Sequence, residues 1–153
     1  MNTDEIANLK PGRDLDIKVA LEVMDYIWLK HLLQFSAELA VKWLGTPADM
    51  EESSGMYVRV PESQFVGLKE REDFAEAVLP FSTDMVAAEQ VFRQMEKLGY
   101  ECKLETKIEE GNQQYYAYIH KSGTPIAENV VGFPTGPEAI VKAALQNVHS
   151  SEI

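Results

Sequence analysis

Between Leu79 and Lys121 the apolar positions change period once. Met85, Ala88, Val91, Phe92, Met95 and Leu98 recur at three and four residues, the spacing of one buried helix face. This predicts a helix over 83–98. Leu79-Pro80-Phe81 precedes it, and the residue before a proline avoids helical backbone. Ser82 stands where an N-cap belongs, Asp84 favours the positive end of the helix dipole, and Phe81 with Val86 has hydrophobic-staple spacing. Gly99 follows as a residue able to take a left-handed C-terminal conformation.

The period then drops to two. Tyr100 to Ile108 alternates apolar or neutral residues with charges, and Tyr115 to His120 is rich in strand formers. Gly111-Asn112 is the expected centre of a two-residue turn. That centre pairs Ile108 with Tyr115, Thr106 with Ala117 and Leu104 with Ile119 on an inner face. It sets Lys107 opposite Tyr116, Glu105 opposite Tyr118 and Lys103 opposite His120 outside. So charged an outer face cannot be covered by an apolar helix, and is expected to stay open to solvent or a ligand.

Upstream, Pro11-Gly12-Arg13 opens a helical pattern with Leu15, Val19, Val23 and Ile27 on one side. Asp14, Lys18, Glu22 and Asp25 lie on the other, with i,i+4 ion-pair spacing at Asp14–Lys18 and Lys18–Glu22. The polar stripe Lys30, His31, Gln34, Glu38 and Lys42 is rotated by roughly 180° at 100° per residue. Two helices are therefore expected, over 13–25 and 28–44, with a break near Asp25-Tyr26-Ile27. One long helix whose second half meets a partner subunit is the alternative. Gly45-Thr46-Pro47 ends this region and 48–55 reads as an acidic loop. Met56–Val60 and Gln64–Leu68 read as strands joined at Pro61-Glu62-Ser63. The charge run 69–73 reads as a solvated loop or helix start. Asn129-Val130-Val131 reads as a short edge strand. Pro137 is placed at the first position of a last helix, whose narrow face is Ala139, Ile140, Ala143, Ala144 and Leu145, and which frays from Gln146. The fold class is α+β: one domain over 1–153, an antiparallel-rich sheet of about four strands with helices packed on it, and a helical insertion at about 26–55.

Composition narrows function. With 45% hydrophobic and 25% charged residues the chain is an ordinary globular one, and 153 residues support a sizeable core. A net charge of −11 argues against direct binding to nucleic acid or anionic membranes. Charges interrupt the most apolar stretch, 19–44, so no membrane span is expected. The acidic, polar opening Met1-Asn2-Thr3-Asp4-Glu5 does not read as a secretory leader, and a host-cell cytoplasmic location is expected. The single cysteine, Cys102, lies on the inner strand face and reads as a packed thiol.

Several stretches together resemble the phage ABA-sandwich domain family. They are Leu9-Lys10-Pro11-Gly12-Arg13 with Leu15-Asp16, Val19-Ala20, Val23-Met24, Ser82-Thr83-Asp84-Met85 with Ala87-Ala88, Gly99-Tyr100, and the last helix around Ile140, Ala143, Ala144 and Leu145. The chain departs from the pattern between Tyr26 and Gly55 and from Thr124 to Pro134. The resemblance implies an α–β–α sandwich of phage or prophage origin. It brings no established activity, cofactor or catalytic residue.

The residues themselves name no catalytic or metal site. His31, His120 and His149 lack ligand spacing. The pairs Glu51-Glu52 and Glu109-Glu110 read as solvated charge, and no glycine-rich phosphate loop occurs. A non-enzymatic accessory protein that binds a host or phage protein is the leading expectation. Trp28, Leu32, Phe35, Leu39 and Trp43 are its candidate interface, which would also serve a homo-oligomer. The bland reading gives those residues to the core. The alternative is a binder or sponge for a small nucleotide-like ligand, using Lys103, Glu105, Lys107, Tyr116, Tyr118 and His120, with Arg13 as a further anion grip. A DNA mimic is weaker, because lysines intersperse the carboxylates. No cofactor is expected.

Overall fold

The computed structural model describes residues 2–31, 42–52, 55–65, 67–126 and 130–150. The fold is α+β with antiparallel sheets, as the alternating periods predict. The chain divides into two compact units, 25–79 and the two stretches 1–24 and 80–153.

The second of these units carries the hairpin. Its elements are α1 (Thr3–Ala7), α2 (Arg13–Glu22), α5 (Met85–Lys97), β4 (Tyr100–Glu109), β5 (Asn112–Lys121) and α6 (Gly136–Ser150). β4 and β5 pair antiparallel along their full lengths. Helix α5 packs on β4, α6 packs on both α5 and β5, and α1 and α2 pack on α6. Ala88, Val91 and Met95 of α5, Ala117 and Ile119 of β5, and Ile140, Ala144 and Leu145 of α6 form this core.

The central helix begins later than expected. Asp84, not Ser82, is its N-cap and accepts a hydrogen bond from the Ala87 N–H at 3.0 Å. With the cap moved by two residues the staple is lost, and Val86 is 70% exposed. Gly99 takes φ +96° as its place after the helix requires.

The hairpin turn is Glu110-Gly111, both at positive φ (53° and 80°), as a primed two-residue turn demands. Glu110 therefore takes the first turn position, which the sequence reading gave to Gly111, and Gly111 takes the one given to Asn112. Thr106 pairs with Tyr115, Leu104 with Ala117 and Cys102 with Ile119. Every pair is thus displaced by two residues from the expected register. Two is the side-chain period of a strand, so each residue keeps its face. Outside, Lys107 lies opposite Gln114, Glu105 opposite Tyr116, Lys103 opposite Tyr118 and Glu101 opposite His120. Ile108 moves towards the turn, beyond the packed core, and is 79% exposed.

Helix α6 runs to Ser150 rather than fraying at Gln146. Its first turn is held by the Thr135 hydroxyl, which accepts from the Glu138 N–H at 3.3 Å, so Pro137 is the second helical residue. Lys142, only 1% exposed, donates to the Ala7 carbonyl at 2.9 Å and to Glu138 one turn back, and lies 4.6 Å from the Phe133 ring centre. This buried cation ties the end of α1 to α6. The short α1 was not foreseen. Its cap is Asn2, which accepts from the Glu5 N–H.

The unit at 25–79 corrects the expected helix over 28–44. Ile27–His31 is strand β1 and Lys42–Gly45 strand β2, paired antiparallel, with β3 (Tyr57–Arg59) on the other edge of β1. Leu32, Phe35 and Leu39 lie outside the described residues. The expected break does occur, with Asp25 at φ +59°. The helical reading failed because the run Ile27-Trp28-Leu29 is buried on both faces of a central strand, and such a run has no period-two signal. Pro47–Glu52 forms α3 where a loop was expected, started by a reciprocal pair of Thr46–Asp49 hydrogen bonds. None of the described residues of 64–68 lies in the strand expected there. A 3-10 turn at Glu62–Gln64 and helix α4 (Leu68–Asp73) occupy that region. Trp28 is 3% exposed and stacks on Phe65 at 4.0 Å between ring centres. Trp43 is half-buried, edge-on to Tyr57.

Candidate functional site

The structure brings Lys103, Glu105, Lys107, Tyr116, Tyr118 and His120 onto one face of the hairpin. Each is engaged there. Lys103 contacts Glu105 at 2.6 Å, and that hydrogen bond holds the lysine above and the carboxyl below their ordinary pKa values. Lys107 reaches the Tyr118 hydroxyl at 3.5 Å and lies 4.8 Å from the centre of the Tyr116 ring. The Tyr116 hydroxyl donates to Glu109, which raises the phenol pKa. His120 is 3.3 Å from Glu101. The two tyrosine rings run nearly parallel, with centres 6.5 Å apart. Gly132 passes under Tyr116 so closely that a Cβ there would stand 2.8 Å from the ring.

Arg13 sits elsewhere, at the start of α2, 3.5 Å from the Asp16 carboxylate. Asp16 is 1% exposed and accepts from both the Ser82 N–H (2.8 Å) and the Ser82 hydroxyl (2.6 Å). The Gly12 N–H in turn donates to the Ser82 oxygen at 2.9 Å. The Pro-Gly-Arg stretch and the Ser82 stretch, far apart in sequence, are therefore one clasp. Ser82 is part of it and not a helix cap.

A site that the sequence did not disclose lies at the other edge of β5. The Tyr115 N–H and carbonyl bond Phe133 at 2.8 and 2.9 Å, so both point away from β4. In an antiparallel ladder alternate residues turn the same way. The Gly99 carbonyl accepts from the Ser122 N–H, at an even-numbered β5-side position, consistent with that alternation. The backbone groups of Ala117 and Ile119 consequently face outward. Phe133 forms an isolated bridge with Tyr115 and starts no ladder. Val130 and Val131 lie outside any strand, and Asn129 outside the described residues, so the edge strand expected at 129–131 is not found at its described positions.

Between this edge and α6 lies a cavity of about 350 Å³. Its β5 wall is Ala117 to Ile119, its helix wall the stripe Ala139, Ala143, Gln146, Asn147 and Ser150, and its outer wall Ile126, Val130, Val131 and Phe133. Among the described residues no charged side chain lines it. Ile126 and Val131, large apolar residues, are about half exposed here. The Tyr115–Phe133 hydrogen bonds lie beside its Phe133 wall. Beyond Ile119, the Lys121 carbonyl accepts from the Thr124 N–H and hydroxyl in a turn. A second cavity of similar volume adjoins it, sharing Ile119, Asn147 and Ser150 and adding Tyr100, His120 and Lys121.

The chain matches no protein-family profile, no curated protein and no solved structure. Among the described residues no group of three His, Cys, Asp or Glu could hold a metal ion. Among them too, no helix is long and apolar enough to cross a membrane. Ala139 and Ala143 were legible as a small-residue face. The cavity beside them was not, because it depends on the segment of Phe133 meeting β5 at Tyr115.

Proposed function

We propose that this chain is a non-catalytic binding protein of phage or prophage type that captures a small ligand between β5 and α6. The observation that carries the reading is the cavity itself. It has the size of a small-ligand site, at the lower end of about 300–1,000 Å³. Its described walls set Ile126, Val131 and Phe133 against Gln146, Asn147 and Ser150, with Ala117 to Ile119 of β5 on one side. The tyrosine and lysine face of the hairpin supports a ligand less well, because a ligand would first have to displace the Lys103–Glu105 and Tyr116–Glu109 contacts. Capture of a protein through 28–44 is weakened too, since the Trp28 ring is spent on Phe65. The origin rests on the resemblance of the Pro11–Asp16 and Ser82–Met85 stretches. These meet in the buried clasp, which gives them a structural role and no chemistry of their own.

The test is to purify the chain from its host under mild conditions, denature it by heat and analyse the released small molecules by mass spectrometry. The wild type should release one compound in near-stoichiometric amount. Ala143→Leu, which fills the cavity from a half-buried helix position, should release none. Equal release from both proteins would move the site elsewhere.

A further inference from the structure

We propose that the free edge of β4 pairs with the same edge of a second copy of this chain, antiparallel, with Leu104 opposite Leu104 of the partner subunit. This edge lies across the hairpin from the cavity, and the proposal does not depend on a ligand there. Three observations carry it. First, the edge is long and regular. β4 has ten residues, no proline, and a register with β5 that runs without a bulge. Prolines, bulges and shortness are what usually keep an edge strand from pairing. Tyr115 turns its backbone groups away from β4, so Tyr116 and Tyr118 bond across to Glu105 and Lys103. By alternation Cys102, Leu104, Thr106 and Ile108 turn their N–H and carbonyl groups to the free edge. Among the described residues no strand besides β5 pairs with β4, and no further backbone hydrogen bond reaches those four.

Second, the row of charges on the outer face complements itself. Glu101, Lys103, Glu105 and Lys107 alternate in sign. Turned about Leu104, the row sets Lys103 against the partner's Glu105 and Glu101 against the partner's Lys107, and two-fold symmetry repeats both pairs. Opposite charges directly across a sheet stabilise it and like charges destabilise it. A slide of two residues brings Lys103 onto the partner's Lys103, or Glu105 onto the partner's Glu105. A slide of four towards the turn matches charges again, but carries Tyr100 and Cys102 past the end of the partner's strand.

Third, the helix leaves room. A Cβ on Gly136 would stand 3.2 Å from the Met85 sulfur and 3.5 Å from a Leu104 methyl, which sets the first residue of α5 level with Leu104. The Cys102 thiol donates to the Phe92 carbonyl at 3.7 Å. Helix α5 therefore covers the Tyr100–Leu104 half of β4 and leaves the other half bare, with Thr106 exposed and Ile108 79% exposed. Pairing about Leu104 lays the bare half of each strand beside the covered half of the other. The two α5 helices then stand at opposite ends of the joined strands. Ile108 gains a cross-strand neighbour on its own face, Tyr100 of the partner subunit.

The test is sedimentation equilibrium of the full chain from micromolar to millimolar, which should show a reversible monomer–dimer equilibrium. Lys103→Glu or Glu105→Lys alone sets like charges across the two-fold twice. Each should raise the dissociation constant about tenfold or more, with the circular dichroism of the monomer unchanged. Mixed together, the two variants should associate with the wild-type constant, because every Glu then meets a Lys. In the register slid by four residues the mixture would gain nothing over either variant. Ile108→Thr should weaken the dimer as well, while unfolding measured well below the dissociation constant should not register it. A chain that stays monomeric at millimolar concentration overturns the proposal. So does a dimer that neither charge variant weakens, or a mixture that associates no better than its components.

Discussion

The Ser82 hydroxyl stands 2.6 Å from the Asp16 carboxylate across a sequence separation of 66 residues. Both residues are 1% exposed, and a buried carboxylate is tolerable only where hydrogen bonds replace its water. The Ser82 N–H and hydroxyl supply two such bonds, and Arg13 at the rim supplies opposite charge. Ser82→Ala should therefore cost about 1–3 kcal/mol, the range for leaving buried polar groups unsatisfied. Asp84→Ala removes only the true helix cap and should cost about 1 kcal/mol. Urea unfolding of the two variants checks the order. A greater loss at Asp84 would mean that the clasp does not hold the fold.

Lys142 makes a harsher prediction. With the lysine 1% exposed, Lys142→Met leaves Glu138 without its cation and the Ala7 carbonyl without its donor, at an expected cost of about 3–5 kcal/mol. The double change Lys142→Met with Glu138→Leu should recover much of that. Equal stabilities of the single and double variants would show that the pair is not coupled.

Cys102 is pushed up to about 11, first by burial and then by the charge of Glu96. Alkylation by iodoacetamide at pH 8 should therefore be slower in the folded protein than in urea. The thiol in the unfolded chain ionises at lower pH, so stability should fall as pH rises from about 9 to about 11. Equal alkylation rates folded and unfolded would place the sulfur in open water.

The hairpin shows how far the sequence could be read. Alternation placed Leu104, Ala117 and Ile119 inside and Lys103, Glu105 and Tyr118 outside, and the structure keeps those faces. Alternation has a period of two, so it could not detect a two-residue slide, and the turn was misplaced onto Asn112. The strands β1 and β2 were missed for a related reason. Their polar residues Lys30, His31 and Lys42 fit a helical stripe by spacing alone, and pairing between distant segments leaves no local trace. The cavity beside β5 was invisible for the same cause, since it depends on where Phe133 meets Tyr115. The Pro-Gly-Arg and Ser82 stretches were legible as a pattern. Their contact was not, because Ser82 before a helix reads first as a cap.

The displaced register is itself testable. Ile119 is 8% exposed and Ile108 79% exposed. Ile119→Ala should cost about 2–5 kcal/mol, as for other buried large-to-small changes. Ile108→Thr should change stability by no more than about 0.5 kcal/mol. Thermal or urea denaturation that shows a large loss at Ile108 would restore the register centred on Gly111-Asn112.

Amide hydrogen exchange along β5 in the free protein tests the open edge most directly. Tyr116, Tyr118 and His120 turn their N–H groups to β4 and should be protected. Ala117 and Ile119 turn theirs away from β4 and should exchange markedly faster, despite lying between protected neighbours. If Ala117 and Ile119 are protected as strongly as Tyr118 with no ligand present, the edge is already paired, and the cavity has no unmet backbone groups with which to recognise anything.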